Sequence, residues 1–117
     1  MSWKLRVTLM SGIKDGQQIE LTLGEDGHLT EQSWSLSIGR AEDNDIWLSQ
    51  DTFASRYHAA LHWREDRWWL EDKKSTNGSF VENPQDILEE LRVEDTTALD
   101  LTQWIRIGRT WLQLQME

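Results

Sequence analysis

The chain has no cysteine among its 117 residues, a single proline, and twelve basic side chains against twenty-one acidic ones. Without cysteine there is no disulfide framework, no thiolate nucleophile and no cysteine metal site, which fits a reducing compartment. A chain of this length buries enough core to fold without such staples. No repeat, low-complexity tract or linker interrupts it, so residues 1–117 read as one domain. No run approaches the ~18 consecutive apolar residues of a membrane helix. The opening MSWKLRVTLMSG alternates where a signal peptide would be continuously apolar. The expectation is a soluble cytoplasmic protein with no membrane insertion. The shortage of Lys and Arg leaves a net charge of -9 at pH 7. That argues against nucleic acid as a partner, because nonspecific affinity for it comes from neutralising phosphates.

The charge is uneven. Residues 39–80 carry six basic and eight acidic side chains, whereas residues 81–117 carry three and eight. The middle of the chain is close to neutral, and a local cationic cluster can bind an anion inside a negative overall field. Eight tryptophans are many for this length. Most fall on alternating positions, which predicts packing in the core and at its edges. Trp68 and Trp69 are adjacent, so on a strand they face opposite sides and one of them is at least partly exposed.

Alternation with a period of two dominates the sequence. WKLRVTLM places Trp3, Leu5, Val7 and Leu9 on one face, and QQIELTL, WSLSI, YHAALHW, RWWLED, SFVE, WIRIG and TWLQLQM continue the pattern. Turn signals separate these runs: SGIKDGQ, GEDGH, REDR, STNGS and ENPQD. Many short strands with regular turns predict an all-β antiparallel sandwich or barrel. Only PQDILEELRVED offers a helical alternative to a strand, with Ile87, Leu88 and Leu91 on one face. The acidic connection from Val81 to Ala98 is expected to be the most mobile part.

Catalytic and metal chemistry find little support. Ser55 and His58 invite a nucleophile–base pairing, but no G-x-S-x-G elbow surrounds Ser55 and nothing in the sequence picks out a group to orient His58. His58 and His62 lie on an alternating segment, where they would be roughly 13 Å apart at about 3.3 Å per residue, too far for one metal ion. On the residues alone both face the polar side of a strand. Gly39-Arg40 and Thr76-Asn77-Gly78 do not form a P-loop. No enzyme activity, metal or cofactor is expected.

The basic and hydroxyl groups fit an anion site better. A phosphate monoester carries about −1.5 to −2 charges and three acceptor oxygens, and it is matched by a planar guanidinium, hydroxyl donors and backbone N–H groups. Arg40 follows a strand, Ser55-Arg56 precede one, and Ser75-Thr76-Asn77-Gly78 lie in a turn. All three are strand–loop junctions, and in a sandwich loops gather at the ends. Taken singly, Arg40 reads as an ion-pair partner of Glu42 or Asp43, Ser55 as a turn residue, and Asn77-Gly78 as a type I′ hairpin turn.

The ordered set Ile38-Gly39-Arg40, Asn44-Asp45-Ile46, Ser55-Arg56-x-His58-Ala59 and Ser75-Thr76-Asn77-Gly78 resembles the forkhead-associated (FHA) domain. The matching region spans roughly residues 34–81, and Ile105-x-Ile107-Gly108 with Trp111 and Leu112 resembles the closing strands. The resemblance implies an eleven-stranded antiparallel β-sandwich whose loops at one end form the binding site. It implies a phosphothreonine-peptide-binding interaction module that recruits a partner phosphorylated by a Ser/Thr kinase. Arg40 would bind the phosphate directly and Ser55 would donate its hydroxyl to it. Arg56 would touch phosphate or peptide, Thr76 would contact phosphate or main chain, and Asn77 would hold the peptide backbone. Gly39, His58 and Gly78 would support the site, with His58 tying down the Ser55 loop. Lys73 and Lys74 would extend the positive patch.

Phe53 and Ala54 would offer an apolar contact favouring an aliphatic residue three places after the phosphothreonine. Two departures concern loop shape: Glu82-Asn83-Pro84 stands where the family often has Asn-Gly, and Thr102-Gln103 where it often has Gly-Asp. The alternative function is a phosphate-independent scaffold or assembly domain that uses the sandwich surface. The Trp-rich faces are compatible with a monomer or a weak dimer.

Overall fold

A strand with one apolar face must bury it, and the architecture follows from that requirement. In the computed structural model, which describes residues 3–10 and 16–117, Lys4–Met10 (β1) turns Leu5, Val7 and Leu9 into the core and leaves Lys4, Arg6, Thr8 and Met10 half-exposed. Trp34–Gly39 (β4) does the same with Trp34, Leu36 and Ile38, and Thr110–Met116 (β12) with Leu112 and Leu114. The remaining strands are Gln17–Thr22 (β2), His28–Leu29 (β3), Ile46–Trp47 (β5), Ala59–Arg64 (β6), Arg67–Asp72 (β7), Ser79–Asn83 (β8), Asp86–Arg92 (β9), Thr96–Ala98 (β10) and Ile105–Ile107 (β11). The described residues form no helix, and so none long and apolar enough to cross a membrane.

Two sheets result. The first has the order β2-β1-β12-β11-β8-β9, and the second β10-β7-β6-β4-β3. All pairings are antiparallel except a short parallel one between β4 and β5, where Ile38 faces Ile46. The strand count is twelve where eleven were expected, a small difference within the same sandwich. The core between the sheets is aliphatic except at one end. There Trp34 packs against Trp68 at 5.6 Å, Trp68 against Trp63 at 5.5 Å, and Trp63 edge-on against Trp3 at 5.2 Å. Trp68 is buried while Trp69 is half-exposed beneath the Arg64 guanidinium, as adjacent strand positions require.

One open alternative is decided and two expectations are corrected. Of the helix and the strand left open for PQDILEELRVED, the strand forms, as β9 over Asp86–Arg92, with Leu88 almost fully exposed. Its backbone pairs with β8 through Val81↔Leu91 and Phe80↔Arg92, so edge pairing overrides the helical spacing. The acidic connection after Val81 is accordingly built into β9 and β10 and is not a free loop. Asn77-Gly78 do not close a hairpin, because β7 lies in the second sheet and β8 in the first. The turn expected in SGIKDGQ falls mostly on residues 11–15, outside the described residues.

The two departures from the family pattern are each met by a side chain. Asn83 Oδ1 accepts the Gln85 N–H at 3.0 Å, turning the chain between β8 and β9. Asp100 Oδ1 accepts the Thr102 N–H and hydroxyl at 3.0 and 2.9 Å, and Gln103 Nε2 donates to the Glu82 carbonyl at 2.9 Å.

Candidate functional site

The antiparallel register puts the end of β4, the start of β6 and the end of β7 at one pole of the sandwich, since Ile38 faces Ala59 and Ala59 faces Asp72. The tryptophan cluster occupies the opposite pole. Three connections therefore meet at the first pole: residues 40–45, 48–58 and 73–78. Backbone bonds join the first two, with Arg40 N–H donating to Ser55 O at 3.0 Å and Ala41 N–H to Arg56 O at 3.1 Å. Gly39 permits this approach. A Cβ there would overlap the Arg56 carbonyl, a backbone group with no easy way to move. Buried Asn44 completes the junction by donating to both the Ala41 and Arg56 carbonyls at 2.8 Å.

The third connection is fastened to the second by two side chains. The Ser55 hydroxyl accepts the Thr76 N–H at 3.1 Å, and Asn77 Nδ2 donates to the Phe53 carbonyl at 2.9 Å. His58 ties all this to the core. It is fully buried just before β6, not on the polar face expected of a strand histidine. Its Nδ1 accepts the Ser55 N–H at 2.9 Å, and its Nε2 lies 2.8 Å from the Gly78 carbonyl. A backbone N–H can only donate and a carbonyl can only accept. Both bonds are therefore made by the neutral ring with its proton on Nε2. With both nitrogens spent on backbone, the ring is not presented to the Ser55 hydroxyl as a base.

Asp72, at the end of β7, organises the third connection. Its carboxylate accepts the hydroxyls of Ser75 and Ser79, each at 2.6 Å, and the Ser75 N–H at 3.1 Å. Burial would raise this carboxyl. The three hydrogen bonds outweigh burial and hold its pKa below the usual aspartate value. The Ser75 hydroxyl in turn accepts the Gly78 N–H at 2.9 Å, so the loop leaves β7 in a fixed shape.

Arg40, Arg56, Thr76 and Asn77 are exposed and Ser55 is partly so. Arg40 uses its Nε to donate to the Ala54 carbonyl at 3.1 Å. It makes no ion pair with Glu42 or Asp43. Asp43 instead accepts the Tyr57 hydroxyl at 3.0 and 2.9 Å. Lys73 is drawn back to Glu71 at 3.3 Å, leaving Lys74 as the outward lysine of the pair. Of the two residues expected to offer an apolar contact before Ser55, one is exposed and one is not. Ala54 is buried, and the Phe53 ring is capped by the Arg109 guanidinium at 3.7 Å.

Sequence reasoning gave no role to Asn44, Asp51, Asp72, Arg92 or Arg109. Only Asn44 carried a signal, its place in the quoted motif. Asp72 works through Ser75 and Ser79 close by, whereas Asp51, Arg92 and Arg109 depend on partners far along the chain. The same holds for His62, held between Ser35 Oγ at 2.7 Å and Glu71 Oε1 at 2.9 Å on the outer face of the second sheet. Among the described residues no three metal-ligating side chains converge.

The FHA domain family profile matches residues 36–103. The chain is 31% identical over 116 residues to the FHA domain-containing protein FhaB of Mycobacterium tuberculosis, covering 95% of this chain and 70% of that protein. Its fold superposes with a TM-score of 0.70 and 27% identity on a domain solved in a study of phosphothreonine-dependent FHA domain interactions, covering 97% of both chains. The FhaA FHA domain, solved in complex with the intracellular domain of another protein, matches with a TM-score of 0.65 and 26% identity over 97% of this chain and 99% of that one.

Proposed function

The chain belongs to the forkhead-associated family, and on that footing we propose that it is a phosphothreonine-dependent protein-interaction module without catalysis of its own. The observation that carries this reading is the hydrogen bond from Thr76 N–H to Ser55 Oγ, 3.1 Å long, between loops 21 positions apart. Because that hydroxyl already accepts from Thr76, its own proton is directed elsewhere and is available to a phosphate oxygen.

Arg40 binds the phosphate through the two terminal nitrogens of its guanidinium, which make no hydrogen bond among the described residues while Nε anchors the group to Ala54. Fixing Nε in advance reduces the rotamer entropy lost when a ligand binds. Arg56 touches phosphate or peptide, and the Thr76 hydroxyl contacts phosphate or main chain. Asn77 holds the peptide backbone with its carbonyl oxygen and remaining N–H, since one amide proton is spent on Phe53. Gly39, His58 and Gly78 keep the loops in place through the close approach at Gly39 and the two ring bonds of His58. The surrounding carboxylates confine attraction for anions to this pole, and the partner is a protein phosphorylated on threonine.

Calorimetry with matched phosphothreonine and unmodified peptides tests the proposal. Binding is expected to require the phosphate. Arg40→Ala is expected to cost on the order of 2–4 kcal/mol, the loss of the main charge-assisted partner of the dianion. Equal affinity for both peptides would favour the phosphate-independent scaffold. An unchanged affinity in the Arg40→Ala variant would remove Arg40 from the site.

A further inference from the structure

At the pole that carries the site, four exposed cations have no ion-pair partner among the described residues: Arg40, Arg56, Lys74 and Arg92. The first three belong to the loops already described. Arg92 comes from the other sheet. It ends β9, and its pairing with Phe80 brings it to the point where the 73–78 connection enters β8. Its guanidinium lies against Gly78, where an added Cβ would sit 3.2 Å from Cζ, Nε and Nη2. It is also 6.0 Å from the Phe80 ring.

Contrast Arg106, which also lies over Phe80, at 4.3 Å. Arg106 is committed to Glu90 at 2.6 Å and to the Gly108 carbonyl at 2.7 Å. Among the described residues Arg92 makes only packing and ring contacts, which leave the hydrogen-bonding edge of its guanidinium without a partner there. On the other side of Asn77, Arg109 covers Phe53, the residue whose carbonyl receives the Asn77 amide. Asn77-Gly78 is thus flanked by two arginines, one packed on Gly78 and one reached through Phe53. In a chain of net charge -9, the four cations Arg40, Arg56, Lys74 and Arg92, without ion pairs among the described residues, are a local exception to the field around them.

We propose that the site continues past Asn77-Gly78 into a second anion subsite, centred on Arg92. It takes an acidic group borne by the same peptide next to the phosphothreonine. The inference rests on the phosphothreonine reading and deepens it, because it names the class of peptide preferred. The ligand chemistry is a planar or tetrahedral oxyanion that accepts two parallel hydrogen bonds, either an Asp or Glu carboxylate or a second phosphorylated residue. An aliphatic flank, the preference expected from Phe53 and Ala54, would meet guanidinium groups there.

Fluorescence anisotropy at low salt with four synthetic phosphothreonine peptides tests this. One has neutral flanks, one an acidic N-terminal flank, one an acidic C-terminal flank, and one a second phosphothreonine on the better flank. The neutral peptide reports phosphothreonine recognition, and the affinity ratio to it isolates the flank. One acidic flank is expected to tighten binding roughly three- to tenfold, with the gain fading as salt rises. A larger gain from the second phosphate identifies phosphate as the better source of the anion, and a larger gain from Asp or Glu identifies carboxylate. Arg92→Gln is expected to bring the ratio close to one, while Arg92→Lys retains much of it because the charge remains. If the neutral peptide binds but neither flank adds affinity, or if the ratio survives in Arg92→Gln, the subsite is wrong. If no phosphothreonine peptide binds, the underlying reading fails and the subsite falls with it.

Discussion

The carboxylate of Asp51 accepts the backbone N–H of Arg109 at 2.7 Å, across 58 positions of sequence. The same carboxylate accepts the Thr110 hydroxyl at 2.7 Å and the Phe53 N–H at 3.0 Å. It also fills the space that a Cβ on Gly108 would need, a buried position with φ +61°. One carboxylate thus fastens the β11–β12 turn of the first sheet to the segment that leads into Ser55. Phe53, fixed in this way, offers its carbonyl to Asn77.

Asp51→Ala is accordingly expected to cost about 2–4 kcal/mol, since it leaves backbone donors at a buried position without their charged acceptor. Urea denaturation measures this as a lower midpoint with an unchanged slope. Asp51→Asn keeps one acceptor oxygen and is expected to fall between wild type and Ala. A midpoint for Asp51→Ala equal to that of wild type would mean that water replaces the carboxylate at no cost.

Asp72 makes stability depend on acid. Burial pushes its carboxyl upward, but the hydrogen bonds from Ser75 and Ser79 hold the folded pKa below the ordinary value of 3.8. The unfolded chain therefore takes up this proton at a higher pH than the folded chain does. The contribution is complete above the unfolded pKa and is lost as pH falls through the folded one. The stability gap between wild type and Asp72→Asn is expected to be constant near neutrality and to shrink below about pH 4. Denaturation midpoints of both proteins across that range measure it. A gap that widened in acid would reverse the sign of the argument.

Two buried tryptophans of similar environment differ in one bond. Trp34 Nε1 donates to the Asp26 carbonyl at 2.7 Å, whereas Trp68 Nε1 is buried without a partner among the described residues. Changing either to Phe removes similar ring volume. Trp34→Phe also abandons a hydrogen bond, while Trp68→Phe removes an unsatisfied N–H. Trp34→Phe is expected to be the costlier by about 1 kcal/mol, read from paired denaturation curves. Equal losses would show that packing alone sets the cost at both positions.

Two strands of the second half show how far pattern reaches. TWLQLQM alternates strictly, and it forms β12 with Leu112 and Leu114 inside. PQDILEELRVED does not alternate, and the sequence left strand and helix open there, because an edge strand needs no second buried face. What makes it a strand is the backbone ladder to β8, a partner that the segment itself does not specify.

The site divides in the same way. Arg40, Ser55, Arg56, Thr76 and Asn77 were legible as an ordered motif, because residue type and spacing are written along the chain. Asp51, Asp72 and Arg92 are an ordinary Asp, another Asp and an Arg until the β11–β12 turn meets Asp51, the chain crosses from β7 in one sheet to β8 in the other, and β9 brings its end to Gly78.

By itself the sequence determined the all-β class, the inward face of most strands and the residue types offered at one set of turns. Side-chain period and turn chemistry are local properties, set within a few residues. Only the tertiary structure decided which strands pair, which loops touch and which carboxylate is buried beneath them. An apolar face demands burial but does not name the neighbour that supplies it. That choice is made by packing between segments as far apart as Asp51 and Arg109.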